Sequence, residues 1–292
     1  MAAWSGEGEA ARERADRSPA GAAVPPAALE PLRAALGARR LAGAIVLGSG
    51  LGPLLEAWAP LLVASGKELP GYPRSGVAGH AGRVAVVPWG SAAGLVLQGR
   101  VHFYEGFARG EVTFGVRLAA ALGARWMLFT NAAGSLDPRV VPGTVAVIDD
   151  HLRLFLGAGP ARGAESPLRL RGSPYHARRA EQAFAALSRE GLRAVRGILG
   201  GFLGPSYETA AEVEMLRRAG ATVACMSTVI EAEEAAILGL EVAALSLVTN
   251  LGTGLSGGAL AHEEVVAAAA LAGPRLARAI AALAETWAGE AG

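Results

Sequence analysis

The sequence predicts an α/β fold: a three-layer α/β/α arrangement with a central mixed, twisted sheet in a single domain. Short apolar runs alternate throughout with segments of helical spacing, the pattern of a sheet covered by helices on both faces. Glycine and polar clusters follow directly after the apolar runs, where such sheets bind ligands. The chain has 292 residues, of which 52% are hydrophobic, enough for a large core.

Residues 1–25 are rich in Ala, Gly, Glu and Arg and have no sustained apolar face, so they read as a disordered tail before a single domain over 26–292. Pro25-Pro26 opens a helix through Leu36. Ala44–Leu47 is a buried strand that runs into Gly48-Ser49-Gly50-Leu51-Gly52. Arg83–Val87 and Leu95–Gln98 read as a hairpin pair around Pro88-Trp89-Gly90-Ser91. Glu111–Leu122 is a helix ending at Gly123. Trp126–Thr130 is a strand entering Asn131-Ala132-Ala133-Gly134, and Thr144–Ile148 is another after Pro142-Gly143. A Gly-, Pro- and Arg-rich loop covers 157–173. The order then runs helix Tyr175–Arg189, strand Ala194–Leu199, helix Thr209–Ala219, strand Thr222–Cys225, helix Val229–Leu238, strand Glu241–Thr249 and a long helix Glu263–Trp287.

Composition removes several classes of function. Lys+Arg 27 against Asp+Glu 26 leaves a net charge of +1, which argues against a nucleic-acid surface. The single cysteine, Cys225, excludes an internal disulfide and a cysteine-based zinc site. No apolar run reaches membrane-spanning length and the amino terminus lacks an apolar signal core, so a cytoplasmic protein without membrane contact is expected.

The chemistry gathers in clusters. Gly48-Ser49-Gly50 exposes backbone N–H groups and a hydroxyl at the end of a strand, as a phosphate-binding loop or as a sharp strand-to-helix turn. It lacks the third glycine of a dinucleotide fingerprint and the lysine of a Walker loop. In an extended segment Arg100, His102 and Tyr104 face one side; they offer a guanidinium fork, a second donor and a phenol, or simply a polar strand face. His80 sits among glycines as a loop or core histidine. Thr130–Ser135 reads as small residues freeing backbone donors, or as a plain turn. Tyr207-Glu208 suits a flat heterocycle by stacking and hydrogen bonding; the competing view is a helix start capped by Ser206. Met226-Ser227-Thr228, Thr249-Asn250 and His262 are weaker single signals.

Taken in order, these motifs resemble the trimeric purine nucleoside phosphorylases. The resemblance is carried by Gly48–Gly52, Pro73-Arg74-Ser75, Gly79–Arg83, Gln98–Gly106, Thr130–Gly134, Gly204–Thr209, Met226–Thr228, Thr249-Asn250 and His262–Val265, spanning the chain from about residue 27. It implies reversible phosphorolysis of purine nucleosides such as inosine and guanosine to the base and (deoxy)ribose 1-phosphate. Phosphate is a co-substrate, no cofactor or metal is needed, and the molecule is a homotrimer acting on small molecules. It further implies that Ser49, His80, Arg100, His102, Ala132 and Ser227 hold phosphate. Tyr104 and Met226 contact the ribose, and His262 its 5′-hydroxyl. Tyr207 packs on the base, while Glu208 and Asn250 hydrogen-bond it; Asn250, Glu208 and His102 form the catalytic set.

Three departures accompany the resemblance. The 157–173 loop is shorter than in many members and has no Phe to reach a neighbouring subunit's ribose site, leaving Leu168 or Leu170 to substitute. Ile230 stands where members commonly have proline, and Leu251–Gly254 resembles the bacterial form of the base loop. Rival readings are a methylthioadenosine phosphorylase-like enzyme, a nucleosidase using water, and a non-catalytic nucleoside-binding protein.

Overall fold

The computed structural model describes residues 23–48, 51, 53–77, 82–154, 172–255 and 262–290, the side chains of Pro53 and of residues 262–271 excepted. The elements are α1 (Pro26–Leu36), β1 (Leu41–Leu47), α2 (Pro53–Ala57), β2 (Leu62–Ser65), β3 (Arg83–Trp89), β4 (Ala92–Gln98), α3 (Arg109–Val112), α4 (Phe114–Ala121) and β5 (Trp126–Ser135). The second half adds β6 (Val145–Arg153), α5 (Ala177–Arg189), β7 (Ala194–Gly201), α6 (Ala210–Arg218), β8 (Val223–Cys225), α7 (Val229–Ile237), β9 (Glu241–Leu251) and α8 (His262–Glu290).

The expected α/β class and mixed sheet are observed. Strand order is β2-β3-β4-β1-β5-β8-β7-β6-β9, and β9 also pairs with β5, so the second half of the sheet closes into a ring. β1 is buried at every position because parallel neighbours flank it on both sides and helices cover both faces. Alternate strand residues face two cores. One packs β-strand residues such as Val46 and Phe129 against α1, α4 and α7. The other packs Ile45 and Leu128 against α2, α5 and α8. A third, smaller cluster lies under α6. No helix among the described residues is long and apolar enough to cross a membrane.

Four indoles form a continuous run through the second core. Trp58 meets Trp89 edge-on at 5.8 Å, Trp89 stacks on Trp126 at 5.2 Å, and Trp126 meets Trp287 of α8 edge-on at 5.1 Å. The run fits because its neighbours lack side chains: a Cβ on Gly43 would lie 2.2 Å from the Trp126 ring, and one on Gly94 2.2 Å from Trp89.

Several expectations are corrected. β5 does not end in a turn at Asn131 but continues through Ser135, because β9 pairs with it along its whole length. β3 and β4 reach Trp89 and Ala92, leaving only Gly90-Ser91 as the turn. The helix expected over 111–122 is split at Thr113 into α3 and α4. Tyr175 precedes α5 and bridges to Val242 instead of starting the helix. α2 and β2 were not foreseen. The 157–173 loop lies outside the described residues except for its last two positions.

Candidate functional site

Parallel strands β1, β4, β5 and β9 end on the same side of the sheet, and a cavity of about 210 Å³ opens there. The gap exists because β5 changes partners. Pairing with β1 stops at Phe129 and pairing with β8 begins at Gly134. The edge of Thr130–Ala133 between them is left to the cavity, which Asn131, Ala132 and Ala133 line.

The first group of side chains surrounds Arg100, which follows β4. Its side chain is 4% exposed. Nη1 donates to Thr130 O and to Ser227 Oγ, each at 3.0 Å, and Nε pairs with Glu231 Oε2 at 3.2 Å. Asn131 Nδ2 donates to Thr228 Oγ1 at 3.0 Å, tying β5 to the segment after β8. Gly48 N–H donates to the Thr130 hydroxyl at 2.8 Å, which donates in turn to Val46 O, so the end of β1 is fixed against β5.

His102 lies beside Arg100. Its Nδ1–H and its backbone N–H both donate to Glu105 Oε1, at 3.0 and 2.8 Å. Burial pushes the imidazole below its ordinary pKa, opposed by the hydrogen bond to Glu105. Burial alone would raise Glu105. Donation from the His102 ring, the backbone of Gly76 and His102, and the Ser75 hydroxyl outweighs it and holds the carboxyl low. Tyr104 is not on an extended segment with the other two, as alternation had suggested, because Phe103–Glu105 is a single 3₁₀ turn. The turn folds the phenol back so that it stacks on the His102 ring at 4.8 Å. Arg100, His102 and Tyr104 all line the cavity nonetheless.

The second group comes from the loops before α6 and at the end of β9. Thr209, not Ser206, caps α6, and it does so reciprocally with Glu212. Glu208 therefore stands ahead of the helix and faces the cavity with Tyr207. Burial raises its carboxyl above the ordinary range, and Glu212 adds to the effect. Tyr207 is 58% exposed at the cavity mouth. Met226 and Tyr104 meet over Gly204, where an added Cβ would lie 2.5 Å from the Met226 sulfur and 2.9 Å from the Tyr104 ring.

Asn250 owes its direction to a bulge. The β5–β9 register shifts at Ala133/Gly134, so Thr249 and Asn250 together oppose one residue. Thr249 Oγ1 donates to Asn250 Oδ1 at 2.9 Å, and Asn250 Nδ2 donates to Leu251 O at 3.1 Å. These bonds fix which end of the amide is the donor. Gly134 leaves room for it: a Cβ there would approach Nδ2 to 3.2 Å.

Of the residues singled out from the sequence, Arg100, His102, Tyr104, Ala132, Tyr207, Glu208, Met226, Ser227 and Asn250 share this one cavity. Ser49, His80 and the side chain of His262 lie outside the described residues. Cys225 also lines the cavity, with burial pushing its thiol up to about 11. Glu105, Thr228 and Thr249 lie inside the motifs but drew no role of their own from the sequence, and Glu231, three residues after Thr228, was missed altogether; its single signal was that proximity. Chemically, a buried guanidinium with hydroxyl and backbone donors suits an oxyanion. A carboxylate and a directed amide beside an exposed ring suit a planar heterocycle with both donors and acceptors. Among the described residues, no group of three or more His, Cys, Asp or Glu side chains is placed to hold a metal.

Comparisons with known proteins point the same way. The family model described as the phosphorylase superfamily matches residues 44–285. The purine nucleoside phosphorylase of Mycobacterium tuberculosis is 41% identical over 234 residues, covering 80% of this chain and 85% of that protein. Purine nucleoside phosphorylase 1 of Geobacillus stearothermophilus is 36% identical, with 76% and 82% covered. Among solved structures, isoform 2 of purine nucleoside phosphorylase from Schistosoma mansoni, in complex with cytosine and ribose-1-phosphate, matches with a TM-score of 0.78. The two are 26% identical, and the match covers 89% of this chain and 94% of that one.

Proposed function

Since the chain belongs to the purine nucleoside phosphorylases of the phosphorylase superfamily, we propose that its cavity carries out reversible phosphorolysis of 6-oxopurine nucleosides. The products are the free base and (deoxy)ribose 1-phosphate, a step of purine salvage. The observation that carries the reading is the 3.0 Å bond from Arg100 to Ser227 in the same cavity as Glu208 and Asn250. An oxyanion site and a heterocycle site stand side by side, as a reaction between phosphate and a nucleoside requires.

On this reading Arg100, His102, Ser227 and the backbone at Ala132 hold phosphate, with Ser49 and His80 completing the set. Tyr104, Met226 and His262 hold the ribose. Tyr207 covers the base, Glu208 accepts from its ring N–H groups, and Asn250 donates its second amide N–H toward N7 as negative charge builds on the leaving purine. The C–N bond breaks ahead of attack, so the sugar takes on oxocarbenium character. Bound phosphate stabilises that cation and then adds to it, so no side-chain nucleophile is used. Catalysis is electrostatic, from donors already aimed where charge develops. Phosphate is a co-substrate and no cofactor takes part. The assembly is a cytoplasmic homotrimer.

Base release from inosine, guanosine and adenosine, measured with and without phosphate, tests this. Phosphate-dependent cleavage of the first two, with adenosine far slower, is expected. Turnover independent of phosphate would identify a nucleosidase instead, and binding without turnover a non-catalytic module.

A further inference from the structure

Glu231 is buried, 4% exposed, and touches no part of the cavity where a nucleoside would lie. Its Oε2 atom nevertheless joins two features of the phosphate-binding group. It accepts from Thr228 N–H at 3.0 Å and pairs with Arg100 Nε at 3.2 Å. Thr228 sits at φ 71°, ψ −49°, a conformation that a β-branched residue rarely adopts. The Val229 N–H donates back to Ser227 O at 2.8 Å, closing a γ-turn of the strained, positive-φ kind. That turn presents the Ser227 hydroxyl to Arg100 and the Thr228 hydroxyl to Asn131. Glu231 also sits in the first turn of α7, where a carboxylate is favoured by the helix N-terminus.

We propose that Glu231 is a positioning residue for phosphate. One carboxylate oxygen holds both the guanidinium of Arg100 and the strained turn that carries Ser227, and so sets the separation of two phosphate donors. This rests on the reading of Arg100 and Ser227 as phosphate ligands. A carboxylate this close to an anion site opposes the anion by charge alone, so its presence is accounted for by geometry. Strain at Thr228 persists because Glu231 and Asn131 fix the turn from both sides.

The variants Glu231→Gln and Glu231→Ala separate the two effects. The glutamine retains an oxygen for Thr228 N–H, whereas alanine removes it. Expected is a rise in the phosphate KM of about tenfold or more for Glu231→Ala, the scale of a misplaced binding group. A smaller rise follows for Glu231→Gln, and the nucleoside KM stays within about twofold in both. A phosphate KM that falls or stays level in Glu231→Gln would overturn the proposal, since removing only a repelling charge does that. Equal changes in both KM values would also overturn it, because they mark general loosening. Should the alanine variant fail to fold, the glutamine variant decides alone. If wild-type turnover proves independent of phosphate, the functional reading has failed, and that outcome is recognised before any variant is made.

Discussion

Replacing Asn250 by Asp exchanges one amide nitrogen for oxygen in a place where the nitrogen is committed. Nδ2 donates to Leu251 O at 3.1 Å, while Oδ1 is taken by the Thr249 hydroxyl at 2.9 Å. In the variant two acceptors face each other across that 3.1 Å. Leaving them so costs about 1–3 kcal/mol. The site is 6% exposed, so burial disfavours the carboxylate and the aspartate takes up a proton. That proton goes to Leu251 O, and none remains for the purine. Losing one donor aimed at developing charge costs roughly 10²- to 10³-fold in rate. A 6-amino group brings its own N–H to the acceptor and loses less. The ratio of kcat/KM for inosine over adenosine is therefore expected to fall by about 10²-fold, with the phosphate KM unchanged. Steady-state assays of both nucleosides at saturating phosphate measure it. An unchanged ratio would refute the assignment of Asn250 to the base.

Other perturbations follow from the same geometry. Gly134→Ala places a methyl 3.2 Å from Asn250 Nδ2, and the displaced amide is expected to lower nucleoside kcat/KM by about tenfold while the phosphate KM holds; equal loss on both substrates would contradict this. Gly43→Ala drives a Cβ to 2.2 Å from the Trp126 ring, and urea titration is expected to show a loss of about 1–3 kcal/mol or more. Burial holds His102 below 6.5, against the pull of Glu105, so the unfolded chain binds more protons once the pH drops under 6.5. Stability then decreases as the pH falls from there toward the depressed value. Urea midpoints between pH 7.5 and 5 should show a shallower decline for His102→Asn, and a parallel decline would exclude His102 as its source.

What could be read from the chain follows the range of the forces involved. β1 was legible because Ala44–Leu47 is apolar at every position and glycine follows. The polar groups at Arg100, Ser227, Glu208 and Asn250 were legible because short motifs travel with them. Pairing partners were not. Asn131–Ser135 looks like a turn locally, and only β9, over a hundred residues later, makes it strand. The closure of β5 through β8, β7, β6 and β9 is likewise invisible to spacing. Tyr104 was misplaced because alternation assumes an extended chain, and Glu105 curls that segment by accepting from His102 N–H. Glu231 gave no signal of its own: a carboxylate in the first turn of a helix is ordinary, and its partner Arg100 is far away in sequence.

The indole run has a consequence for anyone watching this molecule in solution. Trp58, Trp89, Trp126 and Trp287 sit within energy-transfer distance of one another and away from the residues that line the cavity. Light absorbed by any of them is pooled, and the emission is that of the group. Its colour and intensity therefore report how α8 and α2 seat on the sheet face that carries the second core. Ligand entering the cavity meets none of these four rings, so their pooled emission follows unfolding of this core, while occupancy of the cavity is seen by the purine's own absorbance.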